Sequence, residues 1–304
     1  MDKLCSSHDV ILPLILNKRV HYVDMPVHNN IGDLLIMFGT LEFFNKNNIN
    51  VVSKSAYYNF VESNIRKGDV IVFHGGGNLG DIYFGPQNLR ETITERFPNN
   101  TIIILPQSIH FNEQKNLERC TNIFKKHNDL HICIRDKESL SVADSMTNNT
   151  YLLPDMAHHL WQSNNFDSTQ SGTKRLAIVR TDGEISESFS LDNTEFDLVT
   201  DWPALVGKGT KVINLYARLL KLAHKLKIDK YLNKPLMKLF ELYANHLVGK
   251  AISLYGSSNF IATDRLHGHI LACLMTIEHS PQDNIYGKTS RYMKVWTGDS
   301  PYIV

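Results

Sequence analysis

The feature that most narrows the fold is a repeated switch in apolar period. Short runs, His21–Met25, Asn50–Ser53, Val70–Phe73, Thr101–Leu105, His131–Asp136 and Tyr151–Asp155, have the length and β-branched or aromatic content of strands. Between them, Ile31–Phe44, Pro86–Phe97, Lys115–His127 and Glu138–Met146 carry apolar residues at helical spacing. Strands alternating with helices predict a doubly wound, mainly parallel α/β sheet. Polar residues gather where the strands stop: Asn30, His74, Asn78, Gln107, Arg135 and Asp155. A crevice is therefore expected at one edge of this sheet, outside the carboxyl ends of its strands.

The stretch 163–174 (SNNFDSTQSGTK) is polar and has no apolar period, so it reads as a linker between units at 1–165 and 175–304. Beyond it, Arg175–Val179 is a strand closed by Arg180-Thr181-Asp182-Gly183-Glu184, and Glu195–Val199 is a further candidate strand. Thr210–Leu226 and Leu232–Leu254 are helical, the second as one or two helices, with 227–230 as turn or strand between them. Lys211, Arg218, Lys221 and Lys225 on the first of these read as a solvated face, the usual case, with contact to an anionic membrane or polymer as the alternative. Asn259–Ala262 is a buried strand that runs into Thr263-Asp264-Arg265-Leu266-His267-Gly268-His269 and an apolar helix. The loop 283–288 and an amphipathic helix over Thr289–Thr297 follow.

Charge excludes some partners. Across 304 residues, 32 Lys and Arg balance 31 Asp and Glu, so no global field draws the chain to nucleic acid, and any anion must be held locally. The four cysteines are scattered without a CxxC, which argues against a zinc site or disulfide framework and fits a reducing cytoplasm. The apolar run Val10–Leu16 is too short to span a membrane and is followed by no small-residue cleavage site, so no secretory signal is expected.

Three motifs bear on chemistry. Asn29–Asp33 sits at a helix N-terminus, where free N–H groups suit an anion or polar ligand, or where Asn30 simply caps the helix. Val70–Phe73 opens into His74-Gly75-Gly76-Gly77-Asn78, and Gly75, Gly77 and Gly80 formally match GxGxxG. A dinucleotide site fits this poorly, because the run follows the third strand and Asp81–Pro86 keeps a helix from starting at the last glycine. The HGGG run also suggests an esterase oxyanion loop, but no GxSxG elbow accompanies it. In TDRLHGH, Arg265 offers a planar fork for carboxylate or phosphate, and His267 and His269 offer proton transfer near neutral pH. The same stretch also reads as Asp264 capping a helix and pairing with Arg265 while the histidines pack. The histidine spacings do not match HExxH, and no metal is expected.

Taken in order, NIGDLLI, VFHGGGNLGD, LPQS, RDKESL, LPDMAH, IVRTDGE, TDRLHGHI and DNIYGK with its following aromatic helix resemble the polysaccharide pyruvyl transferase family, from about Asn29 to Trp296 and in its bacterial exopolysaccharide form. The resemblance implies two Rossmann-like domains facing across a cleft, as in GT-B glycosyltransferases, with the last helix packing back across it. It implies transfer of pyruvyl from phosphoenolpyruvate to two sugar hydroxyls, giving a ketal and phosphate, with no cofactor. The family's donor-side residues map onto Arg180, Arg265, Leu266 and His267. Lys288 would complete the anion clamp, His267 is the expected general acid, Asp264 orients Arg265 or His267, and His269 fits either chemistry or packing. Asn30, Asp33, His74, Gly75, Gly76, Gly77 and Asn78 would face the acceptor. An acceptor on a lipid carrier would place the enzyme at the inner face of the cytoplasmic membrane. One departure is the polar stretch Thr276–Gln282, where the family has an apolar strand. A GT-B nucleotide-sugar glycosyltransferase and a non-catalytic sugar- or phosphate-binding protein are the competing readings.

Overall fold

The computed structural model describes residues 1–161, 163, 172–183 and 192–304. Most of the expected linker lies outside these residues, as does Glu184. The first sheet comprises β1 (Arg19–Val23), β2 (Asn50–Lys54), β3 (Val70–Phe73), β4 (Gly76–Gly80), β5 (Thr101–His110), β6 (Leu130–Ile134) and β7 (Asn149–Leu152). Its order is β2-β1-β3-β5-β6-β7, with β4 paired to β5. The second sheet comprises β8 (Lys174–Ile178), β9 (Leu198–Thr200), β10 (Ser258–Thr263) and β11 (Glu278–Pro281), in the order β11-β10-β8-β9. Among the described residues every strand pair is parallel. Strands β3 and β6 are buried at every position, which is why they read as unbroken apolar runs.

Four local details differ from the sequence expectation or decide between its alternatives. The glycine run is a strand, not an open loop. A Cβ on Gly80 (φ 136°) would lie 1.7 Å from the His110 carbonyl oxygen, so glycine is what lets β4 lie against the far end of β5. Strand β5 therefore runs past Pro106, and the β5–β6 register shifts between Ile104 and Gln107 around that missing donor. The polar stretch Thr276–Gln282 still yields β11, because His279 is buried there and bonded to His269. The second long helix is single, Asp229–Gly256, with Pro235 inside it and a tight turn before it at Lys227 (φ 56°).

The helix Ile31–Lys46 is buried on several sides, at residues as far apart around it as Leu34, Leu35, Ile36 and Met37. A helix apolar all round belongs in an interior. It packs on the turn Met156–Leu160, on the helix Asp229–Gly256 and on the helix Leu266–Leu274. One apolar cluster thereby runs from Val20 and Val70 through Leu35 and Met37 to Leu176, Ile261 and Ile270, joining the two sheets. The final helix, Lys288–Met293, also meets the first sheet's segments: Tyr292 Oη accepts the Asp155 N–H at 2.9 Å, and Trp296 Nε1 donates to the Arg135 carbonyl at 2.8 Å. Among the described residues no helix is long and apolar enough to cross a membrane.

Gly39 faces the Met156 carbonyl so closely that an added Cβ would come within 2.0 Å of its oxygen. Gly39→Ala should therefore lower unfolding free energy by about 1–3 kcal/mol, read as a drop in urea midpoint with unchanged slope.

Candidate active site

Strands β8, β9 and β10 end level with one another, Ile178 opposite both Thr200 and Thr263. The residues that follow each strand are thus brought together. Arg265 is buried, and its Nε and Nη2 grip the Asp201 carboxylate, with Nη2 to Oδ2 at 2.7 Å. Burial disfavours the guanidinium charge, but Asp201 outweighs it and the Arg265 pKa rises. Asp201 is itself fixed by the Thr181 N–H and hydroxyl at 2.9 and 2.8 Å and by the Trp202 N–H at 2.7 Å. Arg265 Nη2 also reaches Asp182 Oδ2 at 3.3 Å, and Nη1 has no hydrogen bond among the described residues. Arg180 holds the same Asp182 carboxylate through Nε at 2.9 Å and Nη2 at 3.0 Å. Two guanidinium groups from neighbouring strand ends thus converge on one carboxylate. Asp264 does not join them: its Oδ1 accepts the Arg180 backbone N–H at 2.9 Å, its Oδ2 is buried without a hydrogen bond, and it does not line the cavity described below. Burial raises its pKa.

His267 opens the helix Leu266–Leu274 and points at the first sheet's segments. Its Nε2 lies 3.2 Å from Asp155 Oδ2, while Nδ1 has no hydrogen bond among the described residues. A Cβ on Gly32 would fall 2.6 Å from that Nδ1, so the glycine of NIGD makes room for the ring. Asp155 is fully buried after β7 and also receives Arg135 Nη1 at 2.6 Å and the Ala157 N–H at 2.9 Å. Burial works against its charge, but His267, Arg135 and that N–H prevail and hold its pKa well below the usual carboxylate range. The pairing of a histidine with a buried carboxylate fixes the ring's orientation.

His269 faces the other way. Its Nδ1 is 2.8 Å from His279 Nε2, its Nε2 is 2.7 Å from Thr297 Oγ1, and His279 Nδ1 donates to the Ile277 carbonyl at 2.8 Å. The chain of bonds closes with every ring neutral, and burial lowers the His269 pKa to about 3. Cys273 lies 3.7–3.8 Å from the two facing nitrogens. Those nitrogens sit closer together than the roughly 3.3 Å that bonds of 2.0–2.1 Å impose on two tetrahedral zinc ligands. The cluster pins β11 to the helix, and His269 has a packing role.

On the first sheet, Asn30 caps the Ile31 helix through Oδ1 to the Gly32 N–H at 3.0 Å and donates to Asp33 at 2.8 Å. His74 follows β3; its Nδ1 meets Tyr22 Oη at 2.6 Å, its Nε2 is buried without a partner, and burial lowers its pKa to about 3. The Asn78 side chain is taken up by Asp24, Arg90 and Gln107 at 2.6–3.0 Å, which makes it a structural node. A cavity of about 680 Å³ collects these groups. Of the expected residues, Asn30, Asp33, His74, Gly75, Gly77, Asn78, Arg180, Arg265, Leu266, His267 and Lys288 line it; Gly76 and Asp264 do not. Lys288 Nζ lies 5.1 Å from the centre of the Tyr286 ring. The cavity sits at the point where strand order reverses between β1 and β3, as expected for this topology. Roles for Arg135, Asp155, Asp182 and Asp201 were not legible beforehand. Each stands just past a strand or in the following turn, the only signal the sequence offered.

The Asp155 carboxylate stabilises the fold above the ordinary unfolded value of about 3.9, and that contribution is lost as pH falls below it. Asp155→Asn should flatten the acid limb of the stability–pH curve and, by leaving Arg135 buried without a counter-ion, cost about 3–5 kcal/mol at neutral pH. Urea titrations across the acid range read both effects.

The model of the family "Polysaccharide pyruvyl transferase" matches residues 30–280. "Putative pyruvyl transferase EpsO" of Bacillus subtilis (strain 168) is 36% identical over 93% of this chain and 87% of its own length. "Pyruvyl transferase 1" of Schizosaccharomyces pombe is 27% identical, over 92% of this chain and 70% of its own. The crystal structure of a functionally uncharacterised Klebsiella pneumoniae protein shares the fold at a TM-score of 0.65 and 20% identity, covering 100% of this chain and 98% of that one. With its family match running from the Asn30 cap to the end of the second sheet, the chain belongs to the polysaccharide pyruvyl transferase family.

Proposed function

We propose that this chain moves the pyruvyl group of phosphoenolpyruvate onto two hydroxyls of a sugar in an exopolysaccharide or its precursor, closing a ketal and releasing phosphate. In this reading residues 1–165 and 175–304 are two Rossmann-like units facing across the cavity in the GT-B manner, and no cofactor takes part. The observation that carries it is the convergence of Arg180 and Arg265 on a single carboxylate beside a carboxylate-backed histidine. A small, densely charged donor needs convergent cations, because a single exposed ion pair contributes under about 1 kcal/mol, whereas fixed arginine contacts in a closed cleft are stronger. The cavity, about 680 Å³, has room for such a donor with one sugar unit.

Arg180, Arg265 through Nη1, and Lys288 hold the donor's carboxylate and phosphate. His267, its Nε2 held by Asp155, gives its Nδ1 proton to the methylene carbon; the double-bond electrons form the new C–H bond and C2 becomes cationic. The first sugar oxygen bonds to C2 and its proton returns to His267. The C2–O bond to phosphate then breaks with its electrons on phosphate. The second hydroxyl oxygen closes on C2, and its proton leaves with the phosphate. Asn30, Asp33 and neutral His74 lie on the acceptor side of the cavity, with Asp155 a positioning residue that acts through His267.

Phosphate released from phosphoenolpyruvate in the presence of a panel of glycan acceptors tests the proposal. Acceptor-dependent release should fall about 10²–10⁴-fold in His267→Ala, and Arg265→Ala should raise the donor KM as well as lower kcat. Wild-type protein that releases no phosphate with any acceptor of a broad panel would sink the reaction, and undiminished turnover in His267→Ala would remove the acid from it.

A further inference from the structure

The helices Gly209–Lys225 and Asp229–Gly256 form a hairpin whose inner sides pack together through Tyr216, Phe240 and Tyr243. The first helix buries Ile213, Leu220 and Ala223. It also carries a second apolar stripe on its outside. Leu215, Leu219, Leu222 and, just past its end, Leu226, spaced three or four residues apart, are 39–58% exposed. The second helix continues this character with Tyr231 and Leu242, 72% and 62% exposed. Exposed leucines scattered singly need no explanation, but a stripe of one helical face does.

The charge around the stripe is equally uneven. Residues 208–241 hold nine Lys and Arg against two acidic residues, Asp229 and Glu241, while the whole chain holds 32 against 31. Glu241 is bound to Lys54 at 2.8 Å, which leaves the hairpin's field more positive still. Lys225, Lys227 and Lys230 surround the tip, where Leu226 and Tyr231 are exposed. Leucines and a tyrosine bordered by lysines are the composition of a helix that lies in the plane of an anionic bilayer.

We propose that this hairpin docks the protein onto an anionic lipid surface, its outer leucines entering the headgroup boundary and its lysines meeting lipid phosphates. A second copy of the chain is a poorer occupant, since two such faces would bring like charges together. The placement matters for the cavity, because Ala217 and Lys221 of the same helix line it from the side opposite the stripe. Docked, the cavity stands beside the membrane, where a lipid-linked acceptor is presented. The docking rests on the helices alone and stands apart from the transfer reaction.

Co-sedimentation of the full chain with vesicles, with no donor or acceptor present, tests it. Wild type should pellet with equimolar phosphatidylcholine and phosphatidylglycerol, stay in solution with phosphatidylcholine alone, and be released by salt. Leu222→Glu with Leu226→Glu should abolish binding, and Lys225→Gln, Lys227→Gln and Lys230→Gln together should weaken it about 100-fold, with circular dichroism confirming that both variants are folded. Wild type that ignores anionic vesicles at low salt overturns the proposal. So does equal binding by the leucine variant, or a wild-type dimer in sedimentation velocity that the leucine variant splits while neither binds lipid. Turnover on a soluble acceptor, measured separately, reports on the reaction and not on docking.

Discussion

The Asp155 carboxylate is the interaction on which the rest of the site depends. It is fully buried, it follows the last strand of the first sheet, and it accepts from Arg135 of the same sheet and from His267 at the head of a helix in the second. Breaking such a pair is far costlier than its net contribution suggests, since the remaining charge stays buried. The two sheets are therefore held in one relation at the point where their chemistry meets. The Ile31–Lys46 helix, apolar on several sides, provides the matching hydrophobic contact, and Gly32 at its start leaves room for the His267 ring. A histidine so seated is aimed before any ligand arrives, which lowers the reorganisation a reaction would require.

The polar groups around the cavity differ in how fully they are bonded. Arg265 is committed through Nε and Nη2, which Asp201 fills while Thr181 and Trp202 hold that carboxylate in turn, and only its Nη1 has no hydrogen bond among the described residues. The Asn78 side chain, although it lines the cavity, is taken up by Asp24, Arg90 and Gln107. His74 and the Asn30–Asp33 pair also line the cavity, His74 with a buried Nε2 that has no hydrogen bond and Asn30 tied to Asp33 and to the Gly32 N–H. Lining a cavity and being available to a ligand are separate properties, and only the bonding pattern tells them apart.

The alternation of strand and helix was written plainly in the sequence, since strands buried on both faces read as apolar runs. So was the gathering of polar residues at the strand ends, because a parallel sheet puts every such end on one edge. What could not be read was which partner each residue takes. Asp201 and Arg265 are brought together by strand order, β9 and β10 flanking β8, which no local pattern records. The glycines of β4 signalled close approach, but whether to a ligand or to β5 depended on the His110 carbonyl. The ambiguity over His269 was settled by His279, a residue in a stretch whose polarity had only looked like an irregularity.

Asp182 gives the arginine pair a further property. Its carboxylate lies where both guanidinium groups point, so an incoming anion exchanges with a tethered one instead of filling bare positive space. Exchange of one carboxylate for another gains little. To displace the tether, an anion has to offer the two guanidinium groups more than a single carboxylate does. The resident aspartate thereby sets a threshold of charge density, and selectivity arises from a competitor covalently attached to the protein itself.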